Sequence, residues 1–259
     1  MPVLYSYTAM IPSILPSTGP IGVFDSGYGG LTILDKIRGL MPEYDYIYLG
    51  DSARCPYGPR SFEVVYEFTL QAVSKLFELG CPLVILACNT ASAKALRTIQ
   101  QINLPVIDAT RRVLGVIRPT AECIGEITRS RHVGILATAG TIKSESYLLE
   151  IHKLSPDIVV TGEACPMWVS LVENNEYQSE GADYFVKQHI NRLLDKDPMI
   201  DTIILSLRDY LNRHPEMDAR CDKGGNCRFL TTESENKFEE SASIFLGRQD
   251  IKVKSIALE

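Results

Sequence analysis

Short apolar runs alternate with longer amphipathic stretches along the first half of the chain. The runs that predict buried strands are Ile21–Phe24, Tyr46–Leu49 and Leu83–Ala87. Between them, Leu31–Leu40 and Ser61–Leu79 carry apolar residues at helical spacing, and Gly80 provides a stop for the second helix. Strands that alternate with helices predict a parallel sheet with helices packed on both of its faces.

The second half repeats this alternation before a polar tail. Predicted strands lie at Val133–Leu136, Ile158–Val160 and Thr202–Leu205, and predicted helices at Thr141–His152, Tyr184–Leu194 and, in the tail, Asn236–Leu246. The segments IGVFDSGYGG and VGILATAGT resemble each other, which suggests an imperfect internal duplication. We therefore predict an α/β fold of two similar three-layer domains, each built on a parallel sheet, with a cleft between them.

The domain boundaries follow from the same pattern. We assign residues 1–20 to a disordered leader, residues 21–112 and 206–259 to a discontinuous first domain, and residues 113–205 to the second domain. The leader contains Pro12 and Pro16 and no lysine or arginine, whereas a signal peptide has a basic start and an unbroken apolar stretch. A secreted protein is therefore not expected.

Composition and charge exclude several classes of protein. The 259 residues carry a net charge of −6 without a run of basic residues, which argues against a nucleic-acid surface. No apolar run reaches the roughly 18 residues that a membrane span needs. The seven cysteines are an odd number spread over a long chain, so free thiols in a reducing cytoplasm are expected rather than a disulfide framework.

The motif DSGYGG, Asp25–Gly30, joins the first predicted strand to a helix. Its glycines allow backbone N–H groups to approach an anion at the start of the helix. The motif matches neither the GxGxxG pattern nor a P-loop. Asp25 has the chemistry to face a substrate ammonium group or to tune the basicity of a nearby thiol. The alternative is that the motif forms only a tight turn between strand and helix.

The motif ACNTAS places Cys88 at the end of a strand and directly before a helix. A helix N-terminus stabilises a thiolate, so the pKa of Cys88 is expected to fall from about 8.5 toward neutrality. Asn89 and Thr90 provide hydrogen-bond donors for a carboxylate at the same place. The alternative is a buried structural cysteine followed by two helix-capping residues. Cys55 is a weaker candidate, because no predicted strand precedes its loop.

Four further positions leave their roles open. Thr138 and Thr141 either cap a helix or bind a substrate carboxylate. Cys165 is a possible nucleophile, but its flanking residues are typical of packing, and Glu173 belongs either in a cleft or on a solvated helix end. A metal site is not expected, because the spacing of His214, Cys221 and Cys227 matches no standard zinc pattern.

Five motifs in register give the chain a specific resemblance to a known family. They are DSGYGG, PYG at Pro56–Gly58, ACNTAS, the ATxxT turn at Ala137–Thr141 and ACPMWVSLVE at Ala164–Glu173. In this order they resemble the glutamate racemase family, from about Gly22 to Leu205. The resemblance implies a cytoplasmic enzyme that inverts glutamate without a cofactor, using two thiols on opposite faces of the substrate. It also implies a role in supplying D-glutamate for peptidoglycan, with a homodimer as one expected assembly.

The resemblance also implies roles for individual residues. Cys88 corresponds to the first base, and Asp25 and Ser26 correspond to the pair that holds the substrate ammonium and tunes the acid–base chemistry. The residues that correspond to substrate binders are Pro56, Tyr57, Gly58, Asn89 and Thr90, with Thr138 and Thr141 nearby and Glu173 as an acidic residue of the second domain.

One motif of the family is missing. After the strand that ends at Leu205, the family has Gly-Cys-Thr-His-Tyr-Pro, but this chain continues as Ser206-Leu207-Arg208-Asp209-Tyr210. An internal deletion of about a helix and a strand accounts for the difference and leaves the second domain incomplete. We expect racemisation to be lowered 10²-fold or more, or lost, and stability to be reduced. Two alternatives are an aspartate or hydantoin racemase and a glutamate-binding protein without catalysis.

Overall fold

The computed structural model of the protein describes residues 18–174, 176, 179–204, 223–247 and 251–258. Most of the predicted leader and the segment 205–222 lie outside these residues, as do His214 and Cys221. None of the helices within the described ranges is both long enough and apolar enough to cross a bilayer.

The larger sheet has six parallel strands in the order β4-β3-β1-β2-β8-β9. Its strands are β1 Ile21–Asp25, β2 Tyr46–Gly50, β3 Leu83–Leu86, β4 Arg112–Gly115, β8 Cys227–Thr231 and β9 Val253–Ser255. The helices that accompany it are α1 Gly30–Leu40, α2 Phe62–Glu78, α3 Asn89–Lys94, α4 Leu96–Thr98, α5 Leu104–Asp108 and α11 Glu235–Leu246, with a π-helical segment Ile99–Asn103 between α4 and α5.

The predicted strands and helices of the first half are confirmed. Strands β1, β2 and β3 are buried along their whole length, because helices cover both faces of the sheet. Helix α2 starts where Ser61 accepts a hydrogen bond from the Val64 N–H. It ends before Gly80, whose φ of +93° lies in the left-handed region that glycine adopts without strain.

The smaller sheet has three parallel strands in the order β6-β5-β7. These strands are β5 His132–Ala137, β6 Val159–Ala164 and β7 Thr202–Ile203, and the helices around them are α6 Ile117–Ile127, α7 Ala139–Lys143, α8 Ser146–Leu154, α9 Pro166–Glu173 and α10 Glu180–Lys196. In both sheets the strand that comes first in the chain is central. β1 lies between β3 and β2, and β5 lies between β7 and β6, in agreement with the internal repeat.

The second half also departs from the sequence pattern in places. The single helix predicted for Thr141–His152 is wrong, since Glu145 has a φ of +52° and separates α7 from α8. The strand predicted at Ile158–Val160 continues as far as Ala164. Strand β4 crosses the boundary that we drew after residue 112, and it pairs along its length with β3 of the larger sheet.

The tail contains structure that the sequence pattern did not predict. The predicted helix Asn236–Leu246 is confirmed as α11, but β8 and β9 were not expected. Strand β8 pairs with β2 in parallel, so the tail extends the sheet of the first half. Phe238 of α11 is fully buried and packs against Tyr28 and Tyr48, with ring centroids 5.4 and 6.2 Å away. The tail therefore packs directly behind the DSGYGG turn.

Candidate active site

A cavity of about 1040 Å³ lies between the carboxyl ends of the two sheets. Open α/β sheets bind ligands at this edge. Of the residues that the sequence predicted, the cavity is lined by Asp25, Ser26, Tyr57, Gly58, Cys88, Asn89, Thr90 and Thr138. Pro56 and Thr141 lie outside the lining, and the side chain of Glu173 is outside the described part of the structure.

Cys88 and Ser26 meet across neighbouring strands. β1 and β3 pair in register, with Phe24 opposite Leu86, so the residues that follow the two strands lie side by side. Ser26 Oγ is 3.3 Å from Cys88 Sγ. The Cys88 sulfur also accepts a hydrogen bond from the Ala91 N–H at 3.4 Å and thereby caps α3. Two hydrogen-bonding groups thus hold the thiol in one orientation.

Asp25 anchors the DSGYGG turn from within. Its Oδ2 accepts hydrogen bonds from the Gly30 N–H at 2.9 Å and the Gly27 N–H at 3.2 Å. Asp25 therefore satisfies the first backbone N–H group of α1, although the N-cap residue of this helix is Gly29. Burial raises the pKa of this carboxyl in spite of the N–H groups that favour its charged form.

The expected lowering of the Cys88 pKa is wrong. Cys88 is only 6% exposed, and burial together with the negative charge of Asp25 raises the pKa of its thiol to about 12. The Ser26 hydroxyl and the Ala91 N–H act in the opposite direction, but their effect is smaller. The resting site therefore holds a protonated thiol that is a strong base once it is ionised.

Threonine hydroxyls from both halves of the chain meet on one side of the cavity. Thr90 Oγ1 lies 3.0 Å from Thr138 Oγ1 and 3.5 Å from Thr141 Oγ1, and Thr138 and Thr141 are 3.1 Å apart. Thr138 also caps α7 by accepting the Thr141 N–H at 3.3 Å. Helix capping and a role in the cavity are thus compatible for Thr138. Beside this cluster, Asn89 Oδ1 accepts a hydrogen bond from the Tyr147 hydroxyl at 2.7 Å.

The PYG loop approaches the same cluster from the first half of the chain. The peptide bond between Cys55 and Pro56 is cis. A Cβ atom on Gly58 would lie 3.0 Å from Thr138 Cβ, so a side chain at this position would crowd the contact between the loop and α7. Tyr57 is buried, and its hydroxyl donates a short hydrogen bond to Asp51 Oδ2.

Asp51 contacts this site through Tyr57, and the sequence analysis missed it. It follows β2, is fully buried, and receives hydrogen bonds from Tyr57, from Arg54 Nε at 2.7 Å and from the Thr232 hydroxyl at 2.7 Å. Burial raises the pKa of Asp51, while Tyr57 and Thr232 favour its charged form. Its position at the carboxyl end of an apolar strand, as for Asp25, was the signal available in the sequence.

The second half contributes a mainly apolar wall. Cys165 follows β6 and lines the cavity, and its thiol donates to the carbonyl oxygen of Glu163 at 3.6 Å. Burial raises the pKa of Cys165 to about 11. Trp168 also lines the cavity and lies edge-on to His189, at 6.1 Å between ring centroids. This wall agrees with the packing role that we preferred for the segment around Cys165.

Comparison with known proteins identifies the family. A profile described as Asp/Glu/Hydantoin racemase matches residues 32–206. The chain belongs to this racemase family. A glutamate racemase of Enterococcus faecalis is 35% identical, over 92% of this chain and 96% of the relative, and one of Staphylococcus carnosus is 46% identical over 74% of this chain and 69% of the relative.

Solved racemase structures share the fold. The glutamate racemase isoform RacE1 of Bacillus anthracis superposes with a TM-score of 0.79 at 31% identity, covering 93% of this chain and 98% of that structure. The glutamate racemase of Francisella tularensis, solved in complex with D-glutamate, gives a TM-score of 0.78 at 29% identity and the same coverage. The two-domain α/β architecture that the sequence predicted is thereby confirmed.

The alignment with the E. faecalis racemase is longer than this chain. It extends over 269 positions but includes only 92% of the 259 residues, so the relative has about 30 residues at positions where this chain has none. The alignment with the S. carnosus racemase extends over 192 positions and 74% of this chain, which leaves almost no such surplus. The family profile match ends at residue 206.

The pKa of the Cys88 thiol in this racemase-family site is open to direct measurement. Because that pKa is about 12, the reactive thiolate is a minor form at neutral pH, and its fraction rises about tenfold per pH unit. We expect the alkylation rate of Cys88 by iodoacetamide, followed by mass spectrometry, to keep rising from pH 7 to pH 10. Asp25→Asn removes the charge that raises the pKa, so its profile should move to lower pH. A plateau below pH 9 in the unsubstituted protein would contradict the raised pKa.

Proposed function

We propose that the substrate is glutamate and that Cys88 is the base that removes its α-proton. The observation that carries this proposal is the contact of Cys88 with Ser26, beside Asp25, in a cavity that Thr90 and Thr138 also line. A site that binds an amino acid and removes its α-proton needs hydrogen-bond donors for the carboxylate, an acceptor for the ammonium group and a base at the α-carbon. This arrangement supplies all three. Relatives that are named glutamate racemases support the choice of substrate.

The geometry supports a definite first step. Hydroxyls of Thr90 and Thr138 and the amide of Asn89 hold the α-carboxylate, while the carboxylate of Asp25 faces the ammonium group. The Cys88 thiolate takes the α-proton, and the electron pair of the broken C–H bond moves into the carboxylate as an enediolate. Hydrogen bonds that hold the carboxylate then stabilise the added charge. Burial of Cys88 makes its thiolate a stronger base, which suits a carbon acid as weak as this one.

Inversion also needs an acid on the opposite face of the α-carbon. By the correspondence of β7 with β3, this group is expected after β7, in the place that Cys88 takes after β3. Gly22 of β1 pairs with Val84, and the equivalent Gly134 of β5 pairs with Ile203. Cys88 is four residues beyond Val84, and four residues beyond Ile203 is Leu207, which has no proton to donate. Leu207 lies outside the described residues. The surplus of about 30 residues in the E. faecalis relative supports an internal deletion in this chain, and the missing family motif is the reason to place it after β7.

We therefore propose that proton exchange at one face of glutamate is retained, and that racemisation is lowered at least about 10²-fold. Any D-glutamate that is still formed would serve peptidoglycan synthesis in the cytoplasm. The missing Cys-Thr-His motif also favours a second candidate, a protein that binds glutamate without catalysis. Asp25, Asn89 and Thr90, the residues expected to bind glutamate from the first half of the chain, are present for either candidate function.

The test is α-proton exchange of L- and D-glutamate in D₂O, followed by NMR for deuterium and by circular dichroism for configuration. We expect exchange with retention, and only for the enantiomer whose α-proton faces Cys88. Rapid inversion would contradict the loss of the second acid. Binding without exchange, measured by calorimetry, would establish the non-catalytic candidate, and absence of binding would contradict both. Aspartate as a parallel substrate separates this proposal from the other racemases of the family.

A further inference from the structure

The two residues that follow β8, Thr232 and Glu233, lie between the two substrate loops of the first half of the chain. We refer to them as the Thr232–Glu233 turn. β8 pairs with β2 so that Thr231 is opposite Gly50, and the Thr232 N–H donates to the Gly50 carbonyl at 3.2 Å. The turn therefore lies at the same sheet edge as the candidate active site, although Thr232 is 181 residues from Asp51 and Glu233 is 205 residues from Tyr28 in sequence.

Thr232 connects to the PYG loop. Its hydroxyl donates to Asp51 Oδ1 at 2.7 Å and accepts the Ala53 N–H at 3.1 Å. The other carboxylate oxygen of Asp51 accepts the short hydrogen bond from Tyr57, which lines the cavity. A hydrogen-bonded chain thus runs from Thr232 through a buried carboxylate to the substrate loop.

Glu233 connects to the DSGYGG turn. Its Oε1 accepts a short hydrogen bond from the hydroxyl of Tyr28, and its Oε2 lies 2.7 Å from Lys237 Nζ. The side chain of Glu233 is only 8% exposed, so this carboxylate is buried between the two groups. Tyr28 is the fourth residue of the motif in which Asp25 and Ser26 adjoin Cys88.

We propose that the Thr232–Glu233 turn positions both substrate loops, Thr232 acting through Asp51 on Tyr57, and Glu233 acting through Tyr28 on the Asp25–Gly30 turn. The effect of the turn on glutamate binding rests on the proposed function. The effect of the turn on the conformation of the loops does not. Both are positioning residues, since neither lines the cavity itself. The tail thereby supports the two loops on the Cys88 side of the cavity.

The two residues are expected to act on different loops, which separates positioning from a general structural role. Thr232→Val removes the hydroxyl and keeps the shape of the side chain, whereas Thr232→Ser keeps the hydroxyl. Glu233→Leu removes the acceptor of the Tyr28 hydroxyl, whereas Glu233→Gln keeps one. Each disruptive variant therefore has a conservative partner that should restore normal behaviour.

The first measurement is amide hydrogen exchange by mass spectrometry, which needs no substrate. Thr232→Val should accelerate exchange in residues 52–58 at least about tenfold and leave residues 27–30 nearly unchanged. Glu233→Leu should show the reverse pattern, and the conservative variants should match the parent. If Thr232→Val does not fold, Tyr57→Phe breaks the same chain at its other end and should give the same loop-specific change. Equal acceleration in both loops, or none, would overturn the proposal.

The second measurement is glutamate binding by calorimetry, with exchange of its α-proton at saturation. Thr232→Val should raise the Kd about tenfold and change the exchange rate little, whereas Glu233→Leu should lower the exchange rate and shift its pH profile. A parent protein that does not bind glutamate would refute the proposed function, while the amide exchange would still decide on the turn. If amide exchange changes in the expected loop while the Kd for glutamate and the rate of α-proton exchange stay the same, the proposed effect of the turn on the active site would be overturned.

Discussion

Replacement of Cys88 by serine is expected to lower the α-proton exchange of glutamate about 10³-fold. A serine hydroxyl is a far weaker acid than a thiol, so its conjugate base is not formed at accessible pH, and general-base catalysis of this kind contributes about 10²–10⁴-fold. The fold should survive, because residue 88 caps α3 by accepting the Ala91 N–H, and serine is a favoured capping residue. The measurement is deuterium incorporation by NMR, with thermal unfolding monitored in parallel.

The matched control for this experiment is Cys123→Ser. Cys123 is an exposed free thiol on α6, away from the cavity lining, so the same chemical change there should leave exchange within about twofold of the parent. Exchange that persists in Cys88→Ser would show that another group removes the proton. Exchange that is lost in both variants would indicate a general sensitivity to thiol removal rather than a base at position 88.

The second large effect is expected from Gly30→Ala. A Cβ atom on Gly30 would lie 2.4 Å from Asp25 Cβ and 2.8 Å from Asp25 Cγ, closer than such atoms can approach. The carboxylate would have to move, which breaks its hydrogen bond with the Gly30 N–H and its approach to Cys88. We expect the free energy of unfolding, measured with urea, to fall by about 1–3 kcal/mol. The rate of α-proton exchange of glutamate should fall at least about tenfold.

Gly29→Ala is the control for that substitution, one residue earlier. Gly29 has a φ of −57°, and a Cβ atom there would meet nothing within 4 Å. The free energy of unfolding of Gly29→Ala should therefore stay within about 0.5 kcal/mol of the parent value. Its rate of α-proton exchange should be unchanged. Equal effects of the two substitutions would show that the loss does not depend on the contact between residue 30 and Asp25. Normal behaviour of Gly30→Ala would mean that the position of Asp25 is not critical.

The sequence predicted the elements that depend on local pattern. Ile21–Phe24, Tyr46–Leu49 and Leu83–Ala87 form strands because each is a short apolar run that a sheet covered on both faces can bury. Motifs at the carboxyl ends of parallel strands must come together at one edge, so the meeting of Asp25 with Cys88 was also predictable. The break at Glu145 was not, because apolar spacing on both sides of it continues a helical pattern.

The tail shows the limit of that reasoning. β8 and β9 join the larger sheet beside β2, but their short segments carry little periodicity of their own. Pairing with β2 decides that they are strands. The importance of Asp51 depends on the same pairing, since Thr232 reaches it only from the end of β8.

The sequence by itself determined the family, the main strands and helices of the first half and the absence of the Cys-Thr-His motif, because these are properties of residue identity and spacing. Tertiary structure alone decided the acid–base state of Cys88. Sequence reasoning placed the thiol at a helix N-terminus and expected a lowered pKa, but burial and the charge of Asp25 raise it to about 12. Desolvation and charge act through space from groups more than 60 residues apart, so no local pattern contains them.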